Sequence, residues 1–122
     1  VPYVDGFVAA VPDERKDAYI AYAKAVWPLF REFGASAAWE CWGDDVPDGE
    51  LTSFALAVKA EPGETVVFSW TIWPDKATRD AGWGRMMEDP RMAELGEMPF
   101  DGKRMIYGGF QPILRMGESL AG

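Results

Sequence analysis

The chain contains no histidine. That absence removes Ser-His-Asp and Cys-His nucleophilic machinery, histidine-ligated haem and the common zinc sites. Its one cysteine, Cys41, has no partner for an internal disulfide and sits in the strand-like stretch WECW. With no imidazole to activate it and with Glu40 and Asp44 nearby, it reads as a small, buried and chemically quiet core residue. No apolar run approaches the roughly 20 residues that a bilayer span needs. The opening VPYVDGF also lacks a basic region followed by an apolar stretch of signal-peptide length. The expected location is therefore cytoplasmic, with no membrane partner. Cations are scarce too: 12 Lys and Arg stand against 20 Asp and Glu, a net charge of -8. Such a field repels phosphate backbones, which argues against nucleic acid as a partner.

What is present is apolar area in quantity. Of the 122 residues 48% are hydrophobic, with six Trp, seven Phe and four Tyr, enough to offset the ordering entropy of one core. A single domain over residues 1–116 is expected, with a frayed tail over 117–122.

Residues 3–11, YVDGFVAAV, alternate as a strand with apolar residues on both faces. Pro12, Asp13 and Glu14 open a helix that runs to about Phe33 and stops at Gly34. Its ridge Tyr19, Tyr22, Val26, Leu29, Phe33 faces the core and leaves Pro28 toward water, where it bends the helix without breaking it. SAAWECWG, residues 36–43, forms a second strand with Trp39 and Cys41 on one side and Glu40 and Trp42 on the other. The acidic loop DDVPDGE fits a calcium loop poorly, because Ala55 stands where a bidentate acid belongs. A turn on Pro47, Asp48 and Gly49 accounts for the same residues, and no metal site is assigned.

Residues 52–60 are ambiguous between a short helix and a strand. Residues 64–74, ETVVFSWTIWP, are the clearest strand, again apolar on both faces. Asp75 caps a helix to about Met87, weakened by Gly82 and Gly84, and Asp89 with Pro90 opens a short further helix that Gly96 ends. Phe100 to Gly102 make a turn, and Met105 to Leu114 read as the last strand, in which Gly108 and Gly109 mark a bulge or a close approach.

The order β α β β α β is the ferredoxin-like pattern, an α+β fold on an antiparallel sheet. Two helices cover one face of such a sheet, yet three strands are apolar on both. A second copy of the chain is the economical cover, so a homodimer with sheets face to face is expected.

The segments YVDGF, ECWGDDVPDG, ETVVFSW, DPRM and MPFDGKRMIYGGF, in that order, resemble the uncharacterised bacterial family DUF1428, the YbaA-like proteins, over almost the whole chain. The resemblance implies a dimeric α/β-barrel fold, shared with antibiotic-biosynthesis monooxygenases and other small barrels that bind or act on small molecules. It implies no established reaction and no catalytic residue. Gly82, Trp83 and Gly84 stand where such proteins usually carry polar or small residues, so ligand specificity does not carry over.

Among the apolar strands the polar residues are the candidates for chemistry. Asp5 or Glu40 as acid or base, with Tyr107 as hydrogen-bond donor, would constitute a catalytic set. Ser69, Trp70 and Arg104 are candidates for ligand binding, Arg104 as an anion anchor. The plain structural alternative has Asp5 accepting backbone hydrogen bonds near Gly6 and Arg104 pairing with a loop acid such as Asp44 or Asp45. Three functions remain open: a protein that binds a small molecule in a barrel pocket, a cofactor-independent enzyme of monooxygenase-like or acid-base type, and a structural or interaction protein without ligand. No cofactor is expected.

Overall fold

The computed structural model describes residues 1–117. Strand β1 (Tyr3–Pro12) leads through a 3-10 turn (Asp13–Arg15) into helix α1 (Lys16–Glu32) and strand β2 (Ala37–Trp42). A short helix α2 (Phe54–Ala57) precedes β3 (Glu64–Trp73), and α3 (Lys76–Glu88), α4 (Pro90–Glu94) and β4 (Ile106–Phe110) follow. The four strands form one sheet of order β2-β3-β1-β4, antiparallel at each pairing. This is the α+β ferredoxin-like arrangement that the order of elements predicts.

Capping sets the helix boundaries. Asp75 accepts from the Thr78 amide at 2.7 Å to start α3, and Asp89 accepts from the Arg91 amide at 2.8 Å to start α4. The ambiguous stretch after residue 52 turns helical because Ser53 accepts from the Leu56 amide at 3.0 Å. Pro28 lies exposed within α1, and the helix continues through it.

The period of two along each strand divides the sheet into two faces. Asp5, Phe7, Ala9 and Val11 of β1 lie beside Thr71, Ser69, Val67 and Thr65 of β3, and this face turns toward α1 and α3. On the far face α2 and its flank cover one end, where Val58 packs with Val8, Ala10 and Val66. The remainder is open: Phe68, Ile106, Trp39 and Phe110 are 44%, 45%, 49% and 61% exposed.

Two expectations need correction, and a third is resolved between its alternatives. The last strand ends at Phe110, not Leu114, because Phe110 already pairs with Val4 near the start of β1 and Pro112 has no amide to extend a ladder. Gly108 and Gly109 make no bulge, since the register runs unbroken from Val4–Phe110 to Val8–Ile106. Gly109 instead marks a close approach: a Cβ there would stand 2.5 Å from the Tyr3 hydroxyl and 2.8 Å from Arg79 Nη2. Cys41 is half-buried rather than buried, because it lies on the far face opposite Phe68, where no element covers it fully. The frayed tail expected from residue 117 onward falls, past Gly117, outside the described residues.

Candidate functional site

The sheet face beneath the helices carries small side chains where a filled core would carry large ones. Ala9, Ala38, Ser69 and Thr71 make a low floor, and α1 and α3 stand over it on bulky residues. The result is a cleft of about 670 Å³. Its walls are Tyr22, Trp27 and Phe30 from α1, Trp83 and Met86 from α3, and Met92, Met98, Phe100 and Met105 from α4 and the segment leading to β4. Gly82 lets α3 approach this closely, since a Cβ there would lie 2.8 Å from the Trp73 ring and from the Phe33 carbonyl oxygen. The walls are aromatic and thioether, surfaces that accept a flat apolar body.

One polar cluster interrupts them. Tyr19, buried on α1, donates its hydroxyl hydrogen bond to Glu40 Oε1 on β2 at 2.5 Å. Ser69 lies directly across the β2–β3 pair from Glu40. Glu40 is exposed on the cleft side of the edge strand, and partial desolvation by its neighbours raises its carboxyl above the usual range, against the opposing hydrogen bonds of Tyr19 and Ser69. Burial likewise pushes the Tyr19 phenol well above its ordinary value, with the neighbouring Glu40 charge adding to the effect. The pair is a carboxyl poised toward its neutral form, joined to a phenol that keeps its proton.

The remaining candidate residues lie elsewhere. Asp5, 2% exposed, is enclosed by donors: Trp73 Nε1 and Trp83 Nε1 at 2.9 Å each, and Arg79 Nη2 at 2.7 Å. It is a saturated acceptor, with indoles and a guanidinium in the place of the backbone amides expected near Gly6. Tyr107 lies in the same cross-strand row as Glu40, in the order Glu40, Ser69, Phe7, Tyr107, but at the opposite sheet edge. Three strand spacings separate them, roughly 14 Å. Tyr107 stacks on Phe7 with centroids 6.5 Å apart. Trp70 lies on the far face, stacked on Trp39 at 5.9 Å. Arg104 is held in a fork, with Nη1 and Nη2 each 2.8 Å from a Glu64 oxygen and Nε 3.0 Å from Asp101. Its partners are thus Glu64 and Asp101 rather than Asp44 or Asp45, which are exposed on their loop. Of the six candidates, Glu40 and Ser69 come together in the cleft.

Sequence reasoning missed Tyr19 as the partner of Glu40 because it falls on the apolar ridge of α1, where a tyrosine reads as core. Arg79 was missed as the partner of Asp5. The available signal was a cation one turn into a helix whose preceding strand pairs with Asp5. No helix of the described residues is long and apolar enough to cross a membrane.

Fold and cleft together define a ferredoxin-like α+β protein with an apolar cleft between helices and sheet. The chain belongs to the family of proteins of unknown function DUF1428, whose model matches residues 2–102. It is 62% identical over 113 residues to the uncharacterised protein YbaA of Escherichia coli strain K12, covering 92% of this chain and 97% of that protein. Among solved structures it is similar to an uncharacterised NIPSNAP domain protein from Burkholderia xenovorans, with TM-score 0.59 and 12% identity over 95% of this chain and 99% of that one. It is also similar to a monooxygenase from the gene ActVA-Orf6 of Streptomyces coelicolor, in complex with the ligand nanaomycin D, with TM-score 0.58 and 17% identity over 98% and 94% of the two chains. A dimeric ferredoxin-like protein from an uncultured marine organism aligns with TM-score 0.54 and 11% identity over 97% and 100%. At these identities the structural likenesses establish the fold alone.

Proposed function

We propose that the protein binds a small, mainly apolar molecule in the cleft between its helices and sheet. The observation that carries this reading is the cleft itself: about 670 Å³, walled by aromatic and methionine side chains, with one carboxyl–phenol pair inside it. Space of this kind weakens a core unless something occupies it, and convergent polar groups in an apolar hollow are the mark of a ligand site. The bound nanaomycin D of the Streptomyces coelicolor monooxygenase supports the reading by analogy of fold.

A second reading is cofactor-independent acid-base chemistry on the bound molecule, with Glu40 as proton acceptor. It is favoured by the place of Glu40 on the cleft lining beside Tyr19 and by the partial desolvation that raises its carboxyl above the ordinary value, which makes it a stronger base. We also propose a homodimer that covers the open far face through Trp39, Phe68, Ile106 and Phe110, supported by their exposure and by the dimeric marine relative in fold.

A thermal-shift screen of small apolar compounds tests the binding reading, run on the native protein and on Ala38→Leu, which projects bulk from the cleft floor. Ligands of the cleft raise the melting temperature of the native protein and not of the variant. Hits that shift both equally, or no hits, overturn the reading.

A further inference from the structure

Building on the binding reading, we infer that the cleft selects an uncharged aromatic molecule whose hydroxyl donates a hydrogen bond to Glu40. The polar inventory decides the direction of that bond. Tyr19 spends its proton on Glu40 Oε1 and so brings no free donor to the cleft, while the Glu40 carboxyl, with Ser69 beside it, lines the cleft. Ser69 and Thr71 are buried in the floor and offer only hydroxyls, and Lys24, the single cation along the cleft, is exposed on α1. Arg79 and Arg104 do not line the cleft and are committed to Asp5 and to Glu64 with Asp101. An anionic ligand group would therefore find no fixed guanidinium in the cleft, and only the solvent-exposed Lys24 ammonium to pair with.

An ammonium group fares little better. The walls supply apolar surface, and one carboxylate that burial already drives toward neutrality is a poor return for stripping water from a cation. A neutral hydroxyl loses less on desolvation than an ion does and recovers it by donating to the Glu40 carboxyl. The body of the ligand is a ring because the lining suits one: Trp27, Phe30 and Trp83, with Phe30 and Trp83 edge to face at 5.3 Å, share the cleft with Met98 and Met105. Trp83 is a fixed wall, since its indole N–H is anchored on Asp5 at 2.9 Å.

Four naphthalene derivatives of one shape separate the possibilities when titrated at pH 7 by calorimetry or tryptophan fluorescence: 2-naphthol, 2-methoxynaphthalene, 2-naphthoate and 2-naphthylmethylammonium. The expected order places 2-naphthol about tenfold tighter than the methoxy compound, the effect of one hydrogen bond to a carboxylate, and both charged probes weakest. In Glu40→Leu the naphthol advantage disappears while the methoxy compound binds as before. Glu40→Gln, which keeps an acceptor oxygen and the shape, supplies the same comparison if the leucine variant folds poorly, with the advantage reduced. Tighter binding of the naphthoate or the ammonium probe overturns this inference and leaves the binding reading standing. Equal binding of the naphthol and methoxy compounds overturns it as well. Failure of all four probes overturns it, while the compound screen against Ala38→Leu still judges the broader reading.

Discussion

Tyr19 on α1 and Glu40 on β2 are joined by a 2.5 Å hydrogen bond across 21 residues of sequence, and this bond places a carboxyl–phenol pair in a mainly apolar cleft. It ties helix to sheet edge and orients the carboxyl. The chemistry available to the cleft follows from the carboxyl that this bond holds on its lining.

Burial raises the folded-state pKa of Glu40 above its unfolded value. Its contribution to stability is therefore fully present below the unfolded value and is lost as pH rises through the folded one. At neutral pH, above the unfolded value, the raised carboxyl counts against the fold. Glu40→Gln, which still accepts the Tyr19 proton, is expected to raise the melting temperature at pH 7 by about 2 °C. The gain should vanish near pH 3, below the ordinary glutamate value of about 4.3. Scanning calorimetry at the two pH values checks this, and a variant less stable than native at pH 7 speaks against it.

Asp5 holds two indoles and a guanidinium, so its loss strands the buried Trp73 indole and takes a partner from the half-buried Trp83 and Arg79, the latter keeping Asp80. Asp5→Ala is expected to cost about 3–5 kcal/mol, the range for removing one partner of a buried ion pair. Asp5→Asn, which keeps an acceptor oxygen, should cost less. Urea denaturation at unchanged slope gives the values. A near-neutral Asp5→Ala would mean that the network contributes nothing to the fold.

Arg104 fastens the turn before β4 to the start of β3 through Glu64, and it also donates to the Lys59 carbonyl at 2.9 Å. This is a planar fork that lysine cannot copy. Arg104→Lys is expected to lower the melting temperature while leaving the affinity for any cleft ligand unchanged, because Arg104 does not line the cleft. Thermal melts with and without a screening hit test both halves of that statement.

The proposed dimer predicts a light-scattering mass of twice the 13.5 kDa of the chain at micromolar concentration. Trp39→Glu, which places a charge in the open far face beside Trp70, should shift the mass to that of a single chain. A native protein already at single-chain mass removes the dimer.

Much of the fold was legible because local rules and periodicity agree. The Asp75 and Asp89 caps, the two-sided strands and the turn before β3 are all readable from residue type and spacing. The last strand was read too long because its end is set by the length of its partner β1, a property of the pairing and not of the segment. The cleft residues were legible one at a time but not as a site. Glu40 declares itself as a carboxylate on an apolar strand, whereas Tyr19 becomes its partner only when α1 crosses β2. Asp5 shows the converse. It looks as unusual in sequence as Glu40 does, and only the arrival of Trp73, Arg79 and Trp83 distinguishes a saturated structural acceptor from a free one.

A crystal structure of the native protein soaked with 2-naphthol bears most directly on the central claim. The account predicts density for the ring between α1 and the sheet, against Trp83 and Phe30, with the hydroxyl oxygen within hydrogen-bond distance of Glu40. An empty cleft at saturating probe, or a ring bound with its hydroxyl directed to solvent, would contradict it.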